Sequence, residues 1–135
     1  MSQAMAEIIT PTPGAALISI TDSRQPIAKL RPGWSAIHRA SFDDIDAITF
    51  PDGDYRGLRA ISERQAGLMA RFVVAASETN WTLIIHCKYG VSRSAGVAKA
   101  VAQVFGLPFP ADYQEANESV CQAVTRALLK ARHAV

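Results

Sequence analysis

The stretch that decides the fold is IIHCKYGVSRSAGVA, residues 84–98. It starts with an apolar run that ends at His86 and Cys87. A short loop with a glycine, two serines and an arginine follows, and then small and aliphatic residues typical of a buried helix. A strand, a short loop and a helix in this order form the unit from which parallel sheets are built. Ligands bind beyond the carboxyl ends of the strands in such sheets, so the loop after Cys87 is a candidate binding site.

Three stretches have the β-branched and aliphatic composition of strands: residues 15–20, 34–42 and 82–86. Because helical patterns alternate with them, we predict an α/β fold with a central, mostly parallel sheet of about four strands and helices on both faces. The chain, residues 1–135, has the length of a single domain. A Pro-Thr-Pro-Gly turn near its start predicts that about residues 1–14 are loosely held.

The helix boundaries have their own signals. Ser62 and Gln65 have the spacing of a capping box and predict the start of a helix. The helix after the loop is expected over residues 94–106, where a glycine and a nearby proline end it. Asp112 and Glu115 have the same capping-box spacing, so we predict that the last helix begins there.

The composition is that of an ordinary globular protein, since 49% of the residues are hydrophobic and 19% are charged. A net charge of +2 is too small to indicate a nucleic acid or a membrane surface as a partner. The first residues lack a basic stretch followed by a long apolar core, so we expect no secretory signal peptide. Cys87 and Cys121 are then expected to be free thiols in a reducing cytoplasm, with Cys121 packed in the core.

The residues after Cys87 are suited to holding an anion. Five residues separate Cys87 from Arg93, and a loop of this length can turn several backbone N–H groups inward beside the helix N-terminus. Gly90 permits the positive φ of such a turn, and Arg93 can bind two phosphate oxygens side by side. The same environment favours the thiolate of Cys87, whose pKa is expected below the ordinary value of about 8.5. These features predict nucleophilic attack on phosphorus and a phosphocysteine intermediate.

HCKYGVSRS, residues 86–94, resembles the Cys-x5-Arg-Ser/Thr signature of the cysteine-dependent protein tyrosine phosphatase superfamily, especially its small dual-specificity-like members of bacterial or phage type. The resemblance implies that Cys87 is the nucleophile and that Arg93 clamps the phosphate. Ser94 would hydrogen-bond the thiolate and assist its departure, and His86 would support the loop from the buried side. We name residues 87–93 the signature loop. Its other phosphate-binding residues would be Lys88, Tyr89, Gly90, Val91 and Ser92.

The proton donor for the leaving group is expected in the acidic loop, residues 43–57, which holds five aspartates. FPD at residues 50–52 is similar to the Trp-Pro-Asp loop of larger tyrosine phosphatases, which favours Asp52, and Asp54 is nearly as well spaced from the signature. SFDDID follows the end of a strand, as the acid does in small members of the family, and this favours Asp44. The sequence alone leaves these three candidates open.

The sequence therefore predicts a phosphomonoester hydrolase that acts on phosphotyrosine in proteins, and also on phosphoserine and phosphothreonine, because no extra segment is evident that would build a deep slot for phosphotyrosine alone. An alternative is a pseudophosphatase that binds phosphoprotein without turnover. A rhodanese-like sulfurtransferase also uses a loop cysteine beneath N–H groups, but its loop is usually shorter. No group of histidines, cysteines and carboxylates has metal-site spacing, so we expect neither a metal nor another cofactor.

Overall fold

The computed structural model describes residues 1–133, which fold as one α/β unit. None of the helices within that range is both long and apolar enough to cross a membrane. The elements in chain order are α1 Gln3–Ile8, β1 Ala15–Thr21, β2 Ala36–Ser41, α2 Glu63–Glu78, β3 Thr82–His86, α3 Arg93–Phe105 and α4 Glu118–His133.

The sheet is parallel and has the order β2-β1-β3. The central strand β1 is buried along its whole length, because it has a neighbour on each side and helices on both faces. This confirms the predicted fold class, although residues 1–133 form three strands rather than about four. The position beyond β3 is taken by a single parallel bridge between Ser2 and Cys87, which is too short to count as a strand.

The two faces of the sheet have different coverings because side chains alternate along each strand. Ile18 and Ile20 of β1 face a large apolar cluster that includes residues of α2, α3 and α4. Ser19 points to the opposite face and is paired in register with His86. On that face Ala6 of the short helix α1 is fully buried. Because the three strands are parallel, their carboxyl ends meet at one edge of the sheet, next to the start of α3.

The first residues of the chain are attached to the sheet, so the expectation that residues 1–14 are loosely held is wrong for this structure. Ser2 caps α1, with its side chain accepting a hydrogen bond from the Met5 N–H. The Gln3 N–H donates to the Lys88 carbonyl at 3.1 Å. The Met1 nitrogen also donates to the Ile85 carbonyl of β3 at 2.8 Å, so the first residues give partners to backbone groups along and just beyond the free edge of this strand.

The capping box before α2 is confirmed, because the Ser62 hydroxyl accepts from the Gln65 N–H and the Gln65 side chain accepts from the Ser62 N–H, both at 3.0 Å. The glycine that ends α3 is also confirmed: Gly106 has a φ of 67°, in the left-handed region that favours glycine.

The predicted start of α4 at Asp112 and Glu115 is wrong, because the helix begins at Glu118. Asn117 supplies the cap instead, since its Oδ1 accepts from the Val120 N–H at 3.0 Å. Residues 111–116 form a turn and an irregular connection, so no helix follows the capping-box spacing of Asp112 and Glu115 directly.

Candidate active site

Cys87 lies directly after β3, at the carboxyl edge of the sheet, and only 2% of its surface is exposed. Its Sγ is 3.2 Å from Oγ of Ser94, in the first turn of α3. Gly90 in the signature loop has a φ of 74°, which a side chain at that position would strain. The loop therefore curls back so that Cys87 lies beneath the start of α3, a geometry that suits an anion site.

The signature loop favours the charged form of Cys87. Burial by itself raises the pKa of the thiol. Hydrogen bonds from the Ser94 hydroxyl and from the N–H groups of Ser94 and Gly90, together with the charge of Arg93, outweigh burial and lower the pKa below its ordinary value. The thiolate of Cys87 is thus favoured by donors that also suit a bound oxyanion.

His86 is fully buried and supports the loop from the opposite face of the sheet. Its Nδ1 is 3.3 Å from the Cys87 carbonyl, which can only accept, so Nδ1 carries the proton. Nε2 then accepts from the Ser19 hydroxyl at 2.6 Å. Burial lowers the pKa of His86 more than the hydrogen bond to Cys87 raises it, which keeps the ring neutral. The ring fixes the Cys87 carbonyl while adding no charge.

Arg93 is buried beside Cys87, and two oxygens fix its guanidinium group. Nη1 donates to the Phe42 carbonyl at 2.7 Å and lies 2.8 Å from Oδ1 of Asp22. Nε finds no hydrogen-bond partner among residues 1–133, although it is buried. A buried N–H without a partner is costly, and an oxyanion that accepted from Nε would offset that cost.

Asp22 is a site residue that sequence reasoning missed. It follows the end of β1 directly, at the same edge of the sheet as Cys87. That position was the available signal, because the carboxyl ends of neighbouring parallel strands lie together. Asp22 neutralises the buried charge of Arg93 and orients its guanidinium plane.

Among the three candidates for the proton donor, Asp44 is the one that contacts the signature loop. Its Oδ1 accepts from the Ser92 hydroxyl and from Nδ2 of Asn117, each at 2.8 Å. Asp52 lies in an exposed turn and makes no hydrogen bond with the signature loop in the described part of the chain. Asp54 forms an exposed ion pair with Arg56 at 2.8 Å. Hydrogen bonds from the side chain and backbone of Arg56 lower the pKa of Asp54, which disfavours it as a proton donor.

Asp43 and Asp46, on either side of Asp44, anchor the acidic loop. Asp43 accepts from the hydroxyl and N–H of Ser23 and from the Arg59 N–H. Asp46 accepts from the N–H groups of Glu118 and Ser119 at the start of α4. Burial raises the pKa of both carboxyls, but these hydrogen bonds, with one from the Thr49 N–H to Asp46 foremost for that residue, outweigh it and lower the pKa below the ordinary value. Both therefore stay ionised and structural.

Asn117, a second residue that the sequence analysis missed, connects three parts of the site. Its side chain donates to Asp44 and to the Ile45 carbonyl at 2.9 Å, and its N–H donates to the Ser92 carbonyl at 3.0 Å. An asparagine directly before an apolar helical pattern is a common N-cap, and this was the signal available in the sequence. The side chain and backbone N–H of this buried residue together hold the acidic loop, the signature loop and α4 in one arrangement.

The remaining signature-loop residues surround the entrance. Tyr89 is 74% exposed and Val91 is 39% exposed, so they have no packing role in the core. The Val91 carbonyl accepts from the hydroxyl of Tyr113. A cavity of about 620 Å³ opens beside Lys88 and Tyr89. Within residues 1–133, no group of three or more His, Cys, Asp or Glu side chains is arranged to hold a metal ion.

Comparisons with known proteins found a distant structural likeness and no match in sequence. No protein-family model and no curated protein matches it. Among solved structures, it is similar to the human tyrosine phosphatase-like serine/threonine/tyrosine-interacting protein, with 16% identity over 87% of this chain and 76% of the other and a TM-score of 0.49. A likeness at that level carries no information about activity, which has to be argued from the site itself.

Proposed function

We propose that this chain hydrolyses phosphate monoesters on proteins, with phosphotyrosine as the main substrate and phosphoserine and phosphothreonine as further substrates. One observation carries the proposal: the buried Sγ of Cys87 lies 3.2 Å from the Ser94 hydroxyl, and the same N–H groups and arginine that suit a phosphate lower the pKa of this thiol. A structural cysteine in an apolar core has a raised pKa and no such donors.

In the first step, the Cys87 thiolate attacks phosphorus and the bond to the ester oxygen breaks. The N–H groups of the signature loop and the Nε edge of Arg93 stabilise the charge on the three non-bridging oxygens. Asp44, in its protonated form, donates a proton to the leaving oxygen, so that tyrosine departs as a neutral phenol. The product is a phosphocysteine and an unphosphorylated protein.

In the second step, water attacks the phosphocysteine. The carboxylate of Asp44 takes a proton from that water, and the bond between phosphorus and sulfur breaks. The hydroxyl of Ser94, 3.2 Å from Sγ, donates a hydrogen bond to the departing thiolate. Inorganic phosphate leaves, and the thiolate and the protonated acid are both restored.

The assignment of Asp44 rests on its two hydrogen bonds to Ser92 and Asn117, which hold it next to the phosphate site. Asp44 is exposed, so it can reach a leaving oxygen at the entrance to the site. The argument for Asp52, the similarity of residues 50–52 to the Trp-Pro-Asp loop, comes only from the sequence. A role for Asp52 would require the acidic loop to move toward the signature loop when substrate binds.

The proposed partner is a phosphorylated protein or peptide. The exposed ring of Tyr89 and the cavity of about 620 Å³ beside it leave room for the residues that flank a phosphorylated side chain. A shallow entrance of this kind suits short and long phosphorylated side chains alike, which supports the wider specificity.

The test is acid-quenched mass spectrometry of the protein mixed with a phosphotyrosyl peptide. We expect a phosphoryl group on Cys87 during turnover and inorganic phosphate as the final product. Binding of the peptide without an adduct and without phosphate release would instead indicate a pseudophosphatase. A persulfide on Cys87 after incubation with thiosulfate, with no phosphate release from the peptide, would indicate a sulfurtransferase.

A further inference from the structure

The first residues of the chain pair with the backbone of the candidate active site. The Met1 nitrogen donates to the Ile85 carbonyl at 2.8 Å, and the Cys87 N–H donates to the Met1 carbonyl at 3.2 Å. The Gln3 N–H then donates to the Lys88 carbonyl at 3.1 Å. Residues 1–3, which we name the N-terminal segment, thus extend the sheet by one parallel bridge at the nucleophile itself.

The N-terminal segment and the curl of the signature loop also depend on each other sterically. A Cβ at Gly90 would lie 2.5 Å from the Met1 carbonyl carbon and 2.7 Å from the Ser2 nitrogen. Real Cβ atoms essentially never approach backbone so closely, and the φ of 74° adds strain of its own. The loop can therefore take this conformation beside the N-terminal segment only with a glycine at position 90.

We propose that the N-terminal segment is a positioning element of the phosphate site, an inference that rests on the proposed function. The segment engages the Cys87 N–H and the Lys88 carbonyl. With these groups fixed, the N–H groups of Gly90 and Ser94 stay directed at Sγ, where they lower the pKa of the thiol. Without the segment, the loop gains alternative conformations, so both oxyanion affinity and the stability of the thiolate fall.

A proline at position 3 tests this with little disturbance of the fold. Gln3 is the first residue of α1, a position where proline is well tolerated because its N–H has no partner within the helix. Ser2 has φ −77° and ψ 160°, which suits a residue before proline. Gln3→Pro therefore removes the hydrogen bond to Lys88 and keeps the helix. Gln3→Ala is the matched control, since it loses the same side chain but keeps the N–H.

The first readout is the affinity for tungstate, a phosphate analogue, measured by calorimetry. We expect Gln3→Pro to weaken tungstate binding about fivefold, the effect of one lost hydrogen bond in the structure around the site. The acidic limb of kcat/KM should also move to higher pH, because the thiolate is less favoured. Gln3→Ala should match the unaltered protein in both. Equal tungstate affinities and pH profiles for the two variants would overturn the inference.

A second measurement covers the case in which Gln3→Pro does not fold. Tungstate binding to the unaltered protein should slow hydrogen exchange at the Gln3 and Cys87 amides, because the segment and the loop then tighten together. Unchanged exchange at Gln3 would overturn the inference.

The failures of the two proposals are distinguishable. A protein that binds tungstate without hydrolysing esters, and whose Gln3→Pro variant binds it more weakly, rejects the proposed hydrolysis and supports the positioning role. An active protein whose Gln3→Pro and Gln3→Ala variants behave alike keeps the hydrolysis and rejects the positioning role. A protein with neither turnover nor tungstate binding rejects both.

Discussion

The two cysteines of this chain are buried to nearly the same extent in one apolar cluster, yet their environments have opposite effects on the thiol. Cys87 is 2% exposed and Cys121 is 4% exposed. The pKa of Cys87 is lowered, whereas burial and the nearby carboxylate of Glu118 raise the pKa of Cys121. Burial alone would make both thiols inert, so the difference comes from the Ser94 hydroxyl, the loop N–H groups and the charge of Arg93 around Cys87.

The position of each cysteine in its element explains this difference. Cys87 stands between the end of β3 and the start of α3, where N–H groups have no helical partners and are free to face Sγ. Cys121 is inside α4, where its own N–H is already bonded to the Asn117 carbonyl at 3.0 Å. Its Sγ lies 3.7 Å from Oε1 of Gln103 and 4.0 Å from Oγ1 of Thr125, both side-chain oxygens.

The largest difference is expected in turnover. Cys87→Ser should lower the hydrolysis of para-nitrophenyl phosphate by about a thousandfold or more, because the alcohol is not ionised at neutral pH. Cys121→Ser should keep most of the activity, since that thiol contacts no part of the site. Initial rates between about pH 5 and pH 8 provide the measurement. Comparable losses of hydrolysis rate in Cys87→Ser and Cys121→Ser would contradict a special role of Cys87 in turnover.

The two main candidates for the proton donor, Asp44 and Asp52, sharpen the contrast further. Asp44→Asn should reduce kcat by about a hundredfold and flatten the basic limb of the rate profile, because an amide cannot donate the proton. Asp52→Asn is the matched control and should keep the basic limb. A flattened profile in Asp52→Asn alone would transfer the role of acid to Asp52. If neither variant altered the basic limb, the acid would lie outside this pair.

Alkylation measures the two pKa shifts without any substrate. The lowered pKa means that Cys87 is a thiolate above that value and loses reactivity only as the pH falls through it. Cys121 stays protonated until the pH rises above the ordinary thiol range. At pH 7, iodoacetamide should label Cys87 at least about ten times faster than Cys121, as followed by peptide mass spectrometry. Preferential labelling of Cys121 would contradict the assignment.

The smallest expected effect concerns one hydroxyl group. Ser94→Ala removes the side-chain donor that lowers the pKa of Cys87, so the pH dependence of its alkylation should move upward. The rate at pH 7 should fall about threefold to fivefold, as expected for one hydrogen bond to a charged group that is partly replaced by water. Thr125→Ala, next to Cys121, is the control. An unshifted profile in Ser94→Ala would assign the thiolate to the loop N–H groups and Arg93 alone.

The sequence predicted the parts of the molecule that depend on neighbouring residues. The strand, signature loop and helix around Cys87 are contiguous, so their composition and spacing define them directly. The capping box at Ser62 is equally local. Asp22 and Asn117 were missed because each meets the site through the fold, across a separation of many residues. The false helix start at Asp112 has the same origin, because Asn117 is fixed by contacts with the acidic loop.

The three connections of Asn117 have a consequence for how the protein responds to heat. The Asn117 side chain caps α4 and holds Asp44, and its backbone N–H donates to the Ser92 carbonyl, so these groups are ordered or disordered together. Helix ends open more readily than the core of a domain. Fraying of the first turn of α4 would release Asp44, the proposed acid, and loosen the proposed phosphate site while the sheet remains folded. Activity is then lost at a lower temperature than the one at which the domain unfolds.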